Sequence, residues 1–161
     1  MSRLSSTLNA KLSPEIQAKY ESVTKSASGL SATFQALFAN PRAASGLAGL
    51  HEAIGQIDLE PWVTYTVALT VAHERENIAL WDSFVPLARE AGVSEAVIDG
   101  ISAGTGPRGL LPKEGIWVHF AQEVLQDKMR DSTWVATTHL VGDEGAVALA
   151  LTACYYDMMA R

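Results

Sequence analysis

Pro61-Trp-Val-Thr-Tyr-Thr-Val-Ala-Leu-Thr-Val-Ala-His-Glu-Arg75 is the stretch on which the fold turns. Trp62, Val63, Tyr65, Val67, Ala68, Leu69, Val71 and Ala72 surround a helix instead of forming one stripe along it. A helix that is apolar all round sits at the centre of a bundle or at a subunit interface. The run is far shorter than the roughly 20 apolar residues needed to cross a bilayer, and Thr64, Thr66 and Thr70 interrupt it. It therefore reads as a bundle-centre or subunit-interface helix of a protein without membrane spans.

Working outward, the neighbouring segments carry helix punctuation. Asn77 to Ala91 places Trp81, Phe84, Val85 and Ala88 on one face, with Pro86 inside the pattern predicting a kink or a missing backbone bond. Gly92 reads as a left-handed C-cap, and Ser94 caps a short helix over Glu95 to Ser102. Upstream, Ser13-Pro14-Glu15 opens a helix to about Lys25. Leu30, Phe34, Leu37 and Phe38 form a second helix that Asn40-Pro41 stops, and Leu47, Leu50 and Ile54 mark a third over Arg42 to Gln56. Downstream, the spacing predicts helices over Pro112 to Met129, from Asp131 through Leu140, and over Asp143 to Met159, the last carrying Val147, Leu151, Cys154, Tyr155 and Met158. Strict alternation is scarce, so the expectation is an all-α bundle of seven to eight helices, with a tail over residues 1–13 and one domain over residues 14–161.

Composition narrows the function. In 161 residues, 48% are hydrophobic and 19% charged, enough for one sizeable core and against intrinsic disorder. A formal charge of −6 offers no basic surface for phosphate backbones, so nucleic acid is excluded as a partner. The N-terminus carries no signal-peptide-like run, and with one cysteine the chain reads as cytoplasmic. A lone Cys154 cannot form an intrachain disulfide, and its setting among Ala, Leu and Tyr reads as a buried, inert thiol.

The densest group of acid–base residues is His73-Glu74-Arg75-Glu76-Asn77. His73 and Asn77 share a face if the helix continues through both, and His73 with Glu76 would then make a proton-transferring pair beside Tyr65 and Trp81. The alternative is a helix junction at which these charges cap a turn. His73-Glu74 begins like a zinc-protease motif, but Asn77 stands where a second histidine is needed. His119 and Glu123, at i and i+4, supply two metal ligands where a site requires three, and read as a His–Glu contact. The turn Ala103-Gly-Thr-Gly-Pro-Arg-Gly109 follows a helix and lacks the ending of a phosphate-binding loop. Neither metal nor cofactor is expected.

Tyr65-Thr-Val-Ala-Leu-Thr-Val-Ala72, Trp81-Asp-Ser-Phe-Val-Pro-Leu-Ala88 and Ala91-Gly92-Val93-Ser94 follow Asn40-Pro41 in order. Downstream come Ile98, Gly104, Pro107, Phe120-Ala121, Glu123-Val124 and Asp131-Ser-Thr-Trp134. In that order and spacing the chain from Asn40 onward resembles the carboxymuconolactone decarboxylase family of the alkylhydroperoxidase D-like superfamily. The resemblance implies that superfamily's helical fold and assembly as a trimer or hexamer. The all-round apolar helix also calls for more cover than a small bundle supplies.

The family's glutamate falls at Tyr65 and its histidine at Phe84, while the two redox cysteines of its thiol peroxidases match Asn77 and Leu80. A two-cysteine peroxidase cannot be built from those residues. What the resemblance leaves is a pocket walled by Asn77, Leu80, Trp81 and Phe84, with Tyr65, His73 and Glu76 as acid–base groups and Arg108 to pair a substrate carboxylate. Two readings follow. One is a metal-free, non-redox lyase or isomerase acting on a small apolar or aromatic molecule; the other is a small-molecule-binding or structural protein that has lost catalysis.

Overall fold

The computed structural model describes residues 13–26, 28–37 and 39–161. Of the expected tail, only Ser13 is among them, and Phe38 lies outside. The described residues are all-α, with eight α-helices, a 3-10 turn and no strand. They fall into two compact units, the first ending at Gln56 and the second running from Ile57 to Arg161.

The first unit holds α1 (Pro14–Ser26), the 3-10 turn (Ser28–Leu30), α2 (Ser31–Leu37) and α3 (Pro41–Gly55). The punctuation works as its chemistry demands. Ser13 Oγ accepts the Ile16 amide at 3.4 Å, and Asn40 Oδ1 accepts that of Ala43 at 3.2 Å. α1 packs on α3 around Val23, Ala44 and Ala48, and the Tyr20 hydroxyl lies 2.8 Å from Ser31 Oγ, tying α1 to α2.

The second unit is built round α4 (Pro61–Glu74), which packs against α5 (Ile78–Glu90), α6 (Glu95–Ser102), α7 (Pro112–Leu125) and α8 (Asp131–Ala160). Val67, Leu69 and Val71 are completely buried, and so is Thr66. A buried hydroxyl without a partner costs about 1–3 kcal/mol. Thr66 and Thr70 avoid that cost by donating to the carbonyls of Trp62 and Thr66, each at 2.8 Å, so α4 can be enclosed on every side. The cover that α4 needs thus comes from its own unit.

Most expected boundaries fall within a residue or two of those observed. Gly92 has φ +93, and Ser94 Oγ accepts the Val97 amide at 3.4 Å. α5 runs through Pro86, which has no amide to donate. α7 differs, ending at Leu125 and not at Met129. Asp127 takes φ +54 there, and the Lys128 amide returns to the Glu123 carbonyl at 2.9 Å, closing the helix with a non-glycine residue in the left-handed position. The last two expected helices appear as one element broken at Gly142, whose φ of 73° and ψ of 172° are not helical.

That backbone region is essentially restricted to glycine, at a cost of about 1–3 kcal/mol for other residues. Gly142→Ala is therefore expected to lower the unfolding free energy by about that amount in urea titrations. A raised midpoint would mean that the helix runs unbroken through this position, where alanine is the better helix former by about 1 kcal/mol.

Candidate functional site

The turn between α4 and α5 shows how the expected acid–base cluster is used. The Glu76 amide bonds to the His73 carbonyl and the Asn77 amide to the Ala72 carbonyl, each at 2.9 Å, with Glu76 at φ +50. The helix therefore stops before Asn77, and His73 and Asn77 do not share a helical face. Asn77 instead caps α5: its Oδ1 accepts the Leu80 amide at 3.0 Å, while its Nδ2 donates to the Ala160 carbonyl at 3.1 Å. Glu76 is left exposed.

The neighbouring charges of this segment are joined to other helices. Glu74 accepts from Gln122 Nε2 at 2.7 Å. Arg75 pairs with Asp157 of α8, and its guanidinium reaches the Leu125 carbonyl of α7 at 3.5 Å. Burial opposes ionisation of Asp157, but hydrogen bonds from Arg75 and Arg161 outweigh it and hold the carboxyl below its ordinary range. Glu74, Arg75 and Asn77 thus tie the end of α4 to α7 and α8, while Glu76 faces solvent.

The expected pocket walls divide into core and surface. Leu80 and Phe84 are both 0% exposed. The Phe84 ring packs edge-on against Tyr156 at 5.0 Å and Tyr65 at 6.3 Å. Leu80 and Phe84 are thus core residues of α5. His73 is half-buried with its ring 6.1 Å from that of Trp81, and the Gly104 backbone lies close to its Nε2. Tyr65 is half-buried; burial, and then the charge of Glu90, push its phenol above its ordinary range, so it acts as a hydrogen-bond donor at neutral pH. Tyr65 and His73 stand eight residues apart on α4, about 12 Å along the axis, too far to act together on one small functional group. Arg108 is exposed and bonds to the Thr105 carbonyl at 3.4 Å.

A different polar centre forms where α7 meets α8. Glu123 is only 6% exposed, yet it accepts the Arg130 backbone amide at 3.1 Å, pairs with the Arg130 guanidinium, and lies 2.9 Å from His119 Nε2. Arg130 precedes the first turn of α8 and offers no side-chain cap of its own, so the carboxylate of the neighbouring helix does the capping. Burial would raise the Glu123 pKa; hydrogen bonds from the Arg130 backbone and side chain, with those from Thr133 and the charge of His119, lower it instead. Spacing alone reveals the His119–Glu123 contact but not Arg130, because the link depends on where α7 ends. On its other side, His119 lines an open apolar groove of about 320 Å³ with Pro107, Leu110, Leu111, Pro112, Gly115 and Ile116.

In the first unit, a cleft of about 340 Å³ between α1 and α3 is lined by residues that include Lys19, Ser22, His51 and Glu52. Burial pushes the His51 imidazole down from its ordinary value. Among the described residues, no three His, Cys, Asp or Glu side chains converge as metal ligands would, and no helix is long and apolar enough to cross a membrane. Cys154 is exposed, contrary to the expectation of a buried thiol, because α8 turns its Leu149, Ala153 and Tyr156 side inward and Cys154 points away from it. Comparison with protein-family models, curated proteins and solved structures returns no match.

The Glu123 centre sets an acid limb of stability. A carboxyl whose folded pKa lies below its unfolded value stabilises the protein above the unfolded value, about 4.3 for Glu, and loses that contribution as pH falls through the folded value. Urea midpoints are expected to drop on acidification below about pH 4, and less steeply in Glu123→Gln. An equal slope in the two proteins would remove Glu123 from the acid transition.

Proposed function

We propose that this chain is a carboxymuconolactone decarboxylase-like helical protein, on the alkylhydroperoxidase D-like plan, that binds a small, largely apolar or aromatic molecule without transforming it. One observation carries the reading. Phe84, at the position matching the family's histidine, is completely buried between Tyr65 and Tyr156, with Leu80 equally buried one turn away. A group that must exchange protons with a substrate needs access to it. Packing has replaced access at both positions. The all-α architecture and the central place of the 61–74 helix support the family reading.

What remains for recognition is the edge of the α4–α5 pair, where Trp81 and His73 stack edge-on and remain partly exposed. An indole face beside an imidazole suits an aromatic ligand with one polar group. The lyase or isomerase reading keeps one point in its favour: the half-exposed Tyr65 phenol, held protonated, is a competent proton donor.

The two readings part in one experiment. A panel of small aromatic and lactone-type carboxylic acids is titrated calorimetrically, and the same mixtures are searched for product by chromatography. Saturable binding that weakens in Trp81→Ala, with no product, is the expected result. Product formation that disappears in folded Tyr65→Phe or His73→Ala proteins would replace the binding reading with the enzymatic one. Phe84→Ala, by contrast, is expected to cost about 3–5 kcal/mol of stability as a core truncation, checked by urea denaturation.

A further inference from the structure

The groove beside His119 has an aliphatic length and a polar end. Pro112, Ile116 and His119 share one face of α7, and Pro107, Leu110 and Leu111 of the preceding turn complete the lining. The turn can settle on α7 because of Gly115, where a Cβ would lie 3.2 Å from that of Pro107 and 3.3 Å from its carbonyl oxygen. At the far end, His119 Nε2 lies 2.9 Å from Glu123 and also contacts the Arg130 guanidinium. Glu123 is buried behind them, receiving Arg130 Nε and His119 on one oxygen and the Arg130 amide on the other. Arg130 itself is 60% exposed. A guanidinium has five N–H donors and no acceptor, and these contacts engage only its Nε and one terminal nitrogen.

We infer that this groove binds a medium-chain aliphatic monocarboxylate, its alkyl chain laid along the Pro112–Ile116 face against Leu110 and Leu111 and its carboxylate at Arg130 and His119. Size and shape set the chain. A volume of about 320 Å³ falls at the small end of ligand sites, which run from about 300 to 1,000 Å³. Pro112 and His119 stand about 10 Å apart along the helix axis, a span that a zigzag chain of about eight carbons covers. The apolar lining is wholly aliphatic, with no ring face on which an aromatic ligand would stack. Donor chemistry sets the head group. The spare donors of a fixed guanidinium suit a carboxylate and repel an ammonium, and a neutral head forfeits the charge-assisted bond. Glu123 already answers part of the Arg130 charge, so one negative charge on the ligand matches better than two.

The acids nearby are engaged elsewhere. Glu114 accepts from Ser94 Oγ at 2.9 Å, and Glu95 and Asp99 of α6 interact with Arg89. Asp131 lies in the first turn of α8, where its charge answers the helix dipole. The bases Arg108 and Lys113, which follow the lining residues Pro107 and Pro112, are exposed. Because Glu123 fixes the Arg130 side chain before any ligand arrives, binding orders little that is not already ordered. This site is separate from the His73–Trp81 edge and does not rest on the binding proposed there.

Calorimetric titration with hexanoate, octanoate and 1-octanol tests head and chain together. The expected result is one octanoate per chain, bound about two- to fourfold more tightly for each methylene added from hexanoate, with 1-octanol weaker than octanoate by about tenfold or more. A merely apolar surface would instead prefer the alcohol. Arg130→Gln would strand the buried Glu123 and endanger the start of α8, so the variant is Leu111→Glu, at a position 57% exposed. It is expected to weaken octanoate by about tenfold or more, with far-UV circular dichroism unchanged, while Trp81→Ala leaves octanoate binding as it was. Absence of saturable octanoate binding, 1-octanol binding as tightly as octanoate, or binding indifferent to Leu111→Glu would each overturn the inference. Loss of octanoate binding in Trp81→Ala would overturn it too, by moving the ligand to the His73–Trp81 edge.

Discussion

Enclosing α4 on every side is the constraint on which the second unit depends. A helix can be buried all round only if each polar group on it finds a partner within reach. Thr66 and Thr70 meet that condition inside the helix, returning their hydroxyls to carbonyls one turn back. No neighbouring helix has to supply a partner for them. α5, α6, α7 and α8 are then free to contribute apolar surface, and Val67, Leu69 and Val71 lose all contact with water.

Full enclosure transfers the polar work to the end of α4. The chain must leave the core between α7 and α8, and the charged residues at its exit are the ones able to hold those helices. Glu74 bonds to Gln122, Arg75 to Asp157 and Asn77 to both Leu80 and Ala160. A side chain whose donors and acceptors are committed in this way is not available to a substrate without breaking the junction. These residues serve the junction, and Phe84 and Leu80 of α5 are fully buried. Glu123 follows the same logic at the next junction, where Arg130 and His119 converge on one buried carboxylate.

Helix punctuation was legible because it is local chemistry. Ser13, Asn40, Ser94 and Gly92 act through their own side chains or backbone, and each does what its type predicts. The ends of α4 and α7 were less legible, since Glu76 and Asp127 adopt left-handed conformations usually left to glycine. The candidate site was least legible. Spacing placed Tyr65, His73 and Trp81 near one another and the family resemblance added Phe84, and the ring contacts place them along one helix pair. Which of them face a ligand depends on how far α5 rolls against α4 and α8, and periodicity carries no record of that rotation.

The same ambiguity explains α8. Val147, Leu151, Cys154 and Met158 form a regular apolar stripe, and the sequence reading expected Cys154 to be buried. The opposite side contains Gly145, Ala146 and Ala153, whose small size lets one backbone approach another closely, and that is the side turned inward. A Cβ added at Gly145 would lie 2.8 Å from that of Val141 and 3.2 Å from Leu59. The inward side also carries the large Leu149, Tyr155, Tyr156 and Met159, so residue size alone did not decide which face is buried. Single exposed apolar residues need no explanation, but an aligned stripe of them is a different matter. Val147, Leu151 and Met158 remain 58%, 43% and 47% exposed, so the fold gains less apolar burial on that side than on the other.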